Sequence, residues 1–289
     1  MTTAVDKDLS LLRTGDRPQR DLFLDNRSVP TAARYARIEA AEADWIVALV
    51  ADIEADTAPL ATRADWVAAL AVMLAEERDG APSSRYLAGE ATREQFAVVV
   101  EEFAPDGLTE AQNFFPAVAR LPIRAQMAVM RVMIDEFGCG NIAQAHSQLY
   151  RDLLAELDLP DELPEVLRDT NDETYAFLNS FYWLASRAVD VEYFLGALAY
   201  LEAAIPDAFA FQARACERLG IANGRYYTEH IHIDDFHMRE MQTAIKEYEA
   251  ARGLDPTKLL VGATLLSSLL GAAMDAAVEK AVAKTAGGR

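Results

Sequence analysis

The stretch YYTEHIHIDDFHMREM, residues 226–241, contains three of the four histidines in this 289-residue chain. Two aspartates lie among these histidines, in the order His230, His232, Asp234, Asp235, His237. Because an α-helix turns by about 100° per residue, His230, Asp234 and His237 fall on one stripe. His232 and Asp235 fall outside that stripe. The stretch therefore predicts a helix that presents two imidazoles and one carboxylate to the same side.

The neighbours of these residues predict which side of the helix faces the protein interior. Tyr226, Met241 and Ile245 accompany the His230 stripe, whereas arginine and lysine side chains accompany His232. Since a helix buries its apolar side, we expect the stripe to face inward. Two imidazoles and a carboxylate are a common ligand set for iron, and copper, zinc or manganese could also bind them. The alternative is a solvated helix whose histidines have no function.

A second metal-binding pattern overlaps the first. Glu229 and His232 form the E-x-x-H pair that ferritin-like di-iron bundles use, but that fold needs the same pair on another helix. The remaining histidine of the chain, His146, has Ala143 at the position where the glutamate should stand. The ferritin-like arrangement is therefore excluded, and the stripe around His230 is the candidate metal site.

Helical patterns dominate the rest of the chain. Apolar residues recur at steps of three and four, and no run alternates with period two for long enough to predict a strand. We predict an N-terminal lead-in over residues 1–30 and a single all-α domain over residues 31–289. The predicted helices cover residues 31–55, 63–79, 91–104, 109–122, 123–138, 141–157, 171–188, 191–205, 206–220 and 223–251, and a last helix starts near Pro256.

The chain is strongly acidic, with 46 acidic residues against 27 lysines and arginines and a formal net charge of −19. Nucleic acid and anionic membrane surfaces are not expected as partners, because both bind basic faces. The longest uncharged run, residues 259–274, is shorter than the roughly 20 residues that span a bilayer, so it predicts a core helix or a homodimer surface. Two cysteines and no apolar leader predict a cytoplasmic protein.

Further ligands for a metal must come from other helices. His146 follows Glu136 by ten residues, with Gly138 and Gly140 between them. Two glycines so close together end or break a helix, so the chain can fold back and aim both side chains at one centre. The alternative for His146 is a satisfied histidine in the core.

Two more glutamates are candidates. Glu202 lies in an almost wholly apolar helical stretch, residues 193–206, where a lone carboxylate is costly to bury without a partner. That partner could be a metal or an arginine such as Arg187. Glu110 begins the segment EAQNFFPAV, where it could equally be a capping residue in the first turn of a helix.

Four motifs carry a resemblance to a known family. They are EAQNFF (110–115), DEFGCGNIAQAHSQL (135–149), ALAYLEAAIP (197–206) and YYTEHIHIDDFH (226–237). In this order they resemble the heme-oxygenase-like di-iron oxidase/oxygenase superfamily. The resemblance implies a helical bundle of about seven core helices, with extra N-terminal and C-terminal helices here. It also implies that two iron ions are bound by six residues, with Glu110 as an additional carboxylate: Glu136, His146, Glu202, His230, Asp234 and His237.

The same resemblance implies an O2-dependent reaction that also needs an external electron donor. We expect N-oxygenation of a small amine or amino-acid-like substrate in a biosynthetic pathway, with Glu110 and Arg225 serving catalysis. The alternative is desaturation or oxidative C–C cleavage of a small carboxylate or amino acid. Two other classes of function stay open: a helical scaffold with incidental histidines, and a hydrolase that uses a single zinc ion.

Overall fold

Helices form nearly all of the structure, a computed structural model that describes residues 9–286, and no β-strand occurs among these residues. The all-α prediction is therefore confirmed. The helices are α1 (Pro18–Asn26), α2 (Ala32–Glu42), α3 (Ala48–Asp56), α4 (Arg63–Asp79), α5 (Pro82–Gly89), α6 (Arg93–Glu102), α7 (Ala104–Gly107), α8 (Phe115–Arg120), α9 (Ile123–Glu136), α10 (His146–Glu156), α11 (Leu163–Val166), α12 (Asp172–Ser186), α13 (Glu192–Leu219), α14 (Arg225–Arg252) and α15 (Pro256–Ala286).

Local sequence signals explain where several helices begin. The side chains of Thr62 and Thr92 each accept a hydrogen bond from the backbone N–H three residues later, and the side chains of Asp65 and Gln95 accept one from the backbone N–H of the threonine. These reciprocal capping boxes satisfy backbone donors that the first helical turn leaves free. They place the starts of α4 and α6 within two residues of the predicted starts.

The prediction of separate helices over 191–205 and 206–220 is wrong, because α13 runs through Pro206 without a break. Proline has no N–H, so the carbonyl of Glu202, four residues earlier, loses its helical hydrogen bond. Packing along the whole length of α13 outweighs this local loss. Similarly, a π-helical turn over Ala43–Val47 joins α2 to α3 within the predicted helix 31–55.

Part of the predicted lead-in belongs to the core. Helix α1 buries Phe23 and Leu24 completely, and the Phe23 ring lies 5.3 Å from the ring of Tyr175 on α12. Residues 1–8 lie outside the described residues. The sequence did not indicate α1, because nine residues are too few for a helical period to stand out.

Helices α13 and α15 cross with their backbones in contact. A Cβ atom at Gly196 would lie 2.0 Å from the carbonyl oxygen of Leu259, and one at Gly262 would lie 2.0 Å from that of Tyr193. By length and composition both helices could cross a bilayer, a test that core helices of soluble proteins also pass. In this structure both contribute fully buried side chains to the main core, among them Leu198 and Leu265.

Candidate metal centre

Helix α14 turns its histidine stripe toward the interior of the bundle. His230, Asp234 and His237 are 5%, 1% and 0% exposed, whereas His232 and Asp235 are exposed to solvent. The helical period predicted this division between the two sides. The stripe faces α9 and α13, the helices that carry the predicted glutamates.

The segment between α9 and α10 reverses the chain through three residues with positive φ: Gly138, Cys139 and Gly140. A Cβ atom at Gly138 would lie 2.5 Å from the backbone nitrogen of Ala145, so only glycine fits this turn. Glu136 is the last residue of α9 and His146 the first of α10. The reversal brings Glu136 Oε2 within 2.8 Å of His146 Nδ1.

Ligand atoms converge in two overlapping groups. In the first, atoms of Glu110, Glu136, His146 and His230 all lie within 4.8 Å of one another. In the second, atoms of Glu136, Glu202 and His237 do so. Glu136 belongs to both groups and so connects them.

Asp234 joins the second group through its contact with His237. The Nδ1 atom of His237 lies 3.1 Å from Glu202 Oε2 and 3.3 Å from Asp234 Oδ1. All six predicted ligands, and Glu110, are thus brought together. Whether they bind metal is still a prediction.

The hydrogen bonding of the cluster fits a cation. Several buried atoms in it have no hydrogen-bond partner among the described residues: Glu110 Oε2, Glu136 Oε2, His146 Nδ1, both carboxylate oxygens of Asp234, and His237 Nε2. Native proteins rarely leave such atoms unpaired without a reason. Even the 2.8 Å approach of Glu136 to His146 lacks hydrogen-bond geometry. The lone pairs of these atoms converge, and no proton is shared between them. A metal ion can bind to such a set of lone pairs.

The tautomer of His230 also suits a ligand. Its Nδ1 lies 2.7 Å from the carbonyl oxygen of Tyr226, to which it can donate a hydrogen bond. A proton on Nδ1 leaves the lone pair on Nε2, the atom that faces Glu110. Metal-binding histidines commonly donate their other N–H to a carbonyl or carboxylate in this way.

The electrostatics of the cluster point to the same conclusion. Burial raises the pKa of Glu136 to about 7, and burial also raises the pKa of Asp234 to about 7. Burial lowers the pKa of His237, but the charges of Glu202 and Glu136 and the hydrogen bonds to Asp234 and Glu202 together outweigh this effect and raise the pKa to about 11. These carboxylates are costly to bury as anions, so the cluster needs either protons or a cation.

Glu110 reaches the cluster from a turn and is not a helix cap. The turn precedes α8, and the next residue, Ala111, has φ of 60°. The Oε1 atom of Glu110 accepts a hydrogen bond of 3.0 Å from the Tyr226 hydroxyl and lies 3.1 Å from His230 Nε2.

The structure does not bring Arg225 to the cluster. This residue is on the outward side of α14, where its guanidinium lies 3.4 Å from a carboxylate oxygen of Glu229. Arg187 does not pair with Glu202 either, because it binds Glu42 on α2.

Because Arg225 lies outside the cluster, we expect Arg225→Ala to leave the iron content unchanged, as measured by metal analysis of the purified variant. A loss of iron in this variant would contradict the placement of Arg225.

A cavity of about 250 Å³ adjoins the cluster. Glu110, Glu136, Glu202 and His230 line one part of it, and aromatic and aliphatic side chains line most of the rest. No lysine or arginine occurs among the described residues that line it. The pocket is therefore apolar, with negative charge and no fixed positive charge.

Two acidic residues near the cluster were missed by the sequence analysis. Asp106 lines the cavity, and burial raises its pKa to about 8. The sequence signal for Asp106 was its spacing of four residues from Glu110. Asp135 precedes Glu136, and its Oδ2 lies 3.7 Å from Nε2 of His237. Neither position could be chosen from sequence, because acidic residues are frequent throughout the chain.

Comparison with known proteins gives two matches. The sequence profile of a family described as "Iron-containing redox enzyme" matches residues 97–270, which include every candidate ligand. The nitrosourea synthase of Streptomyces achromogenes subsp. streptozoticus is 32% identical over 164 residues. The aligned part covers 55% of this chain and 34% of that protein, so it spans about a third of the length of this relative.

Proposed function

We propose a function from the premise that this chain belongs to the family of iron-containing redox enzymes. The proposed activity is O2-dependent N-oxygenation of a small amine. The observation that carries it is the acidic, otherwise apolar cavity that adjoins the cluster of histidines and carboxylates. The name of the relative, nitrosourea synthase, denotes a nitrogen-containing product, which is compatible with the proposal.

Seven residues would hold two iron ions. Glu110, His146 and His230 would bind one ion, and Glu202, Asp234 and His237 the other, with Glu136 between them. Bound iron would supply the electrons that activate O2. In the overall reaction, one oxygen atom enters an N–H bond and the other leaves as water. Two electrons and two protons come from an external reductant and solvent.

The protein's own residues would bind and protect the reacting amine. Tyr226, Tyr150 and Phe209 pack around His230 and Glu110 and keep bulk water from this end of the cavity. The Tyr226 hydroxyl donates to Glu110 Oε1, so this pair can hold a proton beside the substrate. Asp106 also lines the cavity, and an ammonium group beside it would favour its ionised form and make a charge-assisted hydrogen bond with it.

The lining favours an amine over the alternative carboxylate substrate. A carboxylate in an apolar pocket needs a basic partner, but the described lining contains no lysine or arginine, and its one histidine, His230, already faces Glu110. Desaturation or C–C cleavage of a small carboxylic acid is therefore supported less well than oxidation of an amine.

The test is turnover by iron-loaded protein. Purified protein loaded with Fe(II) without oxygen should consume O2 when a small amine and a reductant are added. Mass spectrometry with ¹⁸O2 should find one labelled oxygen atom in a hydroxylamine product.

The Asp106→Asn variant should raise KM for the amine by about tenfold with a smaller effect on kcat, since it removes a charged hydrogen bond. If a broad panel of amines accelerates neither O2 uptake nor product formation, the proposed reaction is wrong.

A further inference from the structure

The cavity continues past the cluster along α13. Glu202, which contacts His237, and Phe209, which contacts His230, both line it, so the cluster lies alongside this part of α13. Gln212 lines the cavity one helical turn beyond Phe209, and Leu201, Ile205 and Ala208 line it as well. The space can therefore hold a small molecule that reaches from the cluster to Gln212 past apolar side chains.

Two buried polar side chains that line the cavity each have an atom without a hydrogen-bond partner. Gln212 on α13 is 3% exposed and Ser83 on α5 is 6% exposed, and both line the cavity. Neither Gln212 Oε1 nor Ser83 Oγ makes a hydrogen bond with any described residue. A buried polar atom without a partner destabilises the folded state, so both atoms need an explanation. A ligand group that enters the cavity would satisfy both.

The chemistry of these two residues limits what they can bind. An amide oxygen accepts a hydrogen bond, and a hydroxyl can donate or accept one, so together they suit a neutral polar group. Glu77 lines the same cavity and accepts a hydrogen bond from the Tyr200 hydroxyl. Its carboxylate disfavours an anion nearby, and the described lining contains no lysine or arginine that would compensate for it.

We propose that Ser83 and Gln212 form a distal subsite, one helical turn beyond Phe209, that binds a hydroxyl or amide group at the other end of a small amine substrate. This inference rests on the proposed function, because it takes the amine to lie at the metal cluster. It narrows the substrate class to amines with an apolar chain and an uncharged polar end. Amino acids whose carboxylate would occupy the distal subsite are excluded.

The subsite can be tested by binding, without turnover. Calorimetry on anaerobic, Fe(II)-loaded protein should compare amino alcohols of two to ten carbons with the alkylamines and ω-amino acids of matched length. At the length that fits best, the amino alcohol should bind about tenfold more tightly than the alkylamine, which is the contribution of one or two buried hydrogen bonds. The ω-amino acid should bind more weakly than both.

Two variants assign this preference to the subsite. Gln212→Leu keeps the approximate size of the side chain and should reduce the preference for the amino alcohol to about twofold or less. Ser83→Ala should reduce it partially. Gln242→Leu makes the same substitution on the exposed side of α14 and should leave the preference unchanged. Circular dichroism of each variant verifies that the fold is retained.

Failure of the subsite and failure of the proposed function give different results. If no chain length favours the amino alcohol, or if the preference persists in Gln212→Leu, the subsite is wrong. A lone ordered water that satisfies both residues would give this result. If the preference depends on Gln212 but no amine is oxidised, the subsite stands and the proposed N-oxygenation fails. If amines are oxidised but the preference for the amino alcohol does not depend on Gln212, the proposed N-oxygenation stands and the subsite fails.

Discussion

His237→Ala should abolish iron binding at the second ligand group and weaken it at the first. The Nδ1 atom of His237 lies within 3.5 Å of carboxylate oxygens from Glu136, Glu202 and Asp234, so it stands at the centre of that group. Loss of a supporting residue around a metal already costs about 10–100-fold in affinity, and loss of a direct ligand should cost more. Metal analysis of protein produced with iron should find about two ions per wild-type chain, one for each group.

The control is His232→Ala. His232 lies on the same helix, five residues away, but its side chain is exposed to solvent. This variant should keep the wild-type iron content and the same spectrum on Co(II) substitution. Equal metal loss in both variants would mean that α14 as a whole, and not the inward stripe, governs binding. A wild-type protein without metal, and with stability unchanged by His237→Ala, would instead favour a scaffold function.

Gly262→Ala should destabilise the fold by at least about 3 kcal/mol, at the upper end of the usual cost of overpacking. The new methyl group would lie 2.0 Å from the carbonyl oxygen of Tyr193, and no side-chain rotation can relieve a contact with backbone. Helices α13 and α15 would have to move apart. Since domains are stable by about 5–15 kcal/mol, this is a large fraction of the total. Thermal unfolding followed by circular dichroism should show a fall in Tm of several degrees.

Gly271→Ala is the matched control on the same helix. A Cβ atom at Gly271 would meet no atom within 4 Å. Replacing a helical glycine with alanine in open space removes backbone freedom from the unfolded chain and should stabilise the protein by about 0.5–1 kcal/mol. If Gly262→Ala and Gly271→Ala shift Tm equally, the close crossing of α13 and α15 is not a determinant of stability.

Features that depend on neighbours along the chain could be predicted from the sequence. The inward orientation of His230, Asp234 and His237 follows from the helical period, and the chain reversal before His146 follows from two glycines. The all-α class follows from the same periodicity. These predictions succeed because each rests on a repeat or turn that spans only a few residues.

The identity of each side chain's partner depended on the tertiary structure. Glu202 lies beside His237, although the sequence allowed Arg187 as its partner, and Arg225 stays outside the cluster. The Glu110 carboxylate meets His230 across 120 positions of sequence, a separation that carries no local signal.

The sequence alone thus determined the helical class and the side of α14 that faces inward, because both follow from residues three and four positions apart. Only the tertiary structure decided which carboxylates join that stripe, where the cavity runs, and that Ser83 and Gln212 face it unpaired. Those outcomes depend on how helices far apart in the chain pack against one another, and helix packing is set by the fit of whole surfaces.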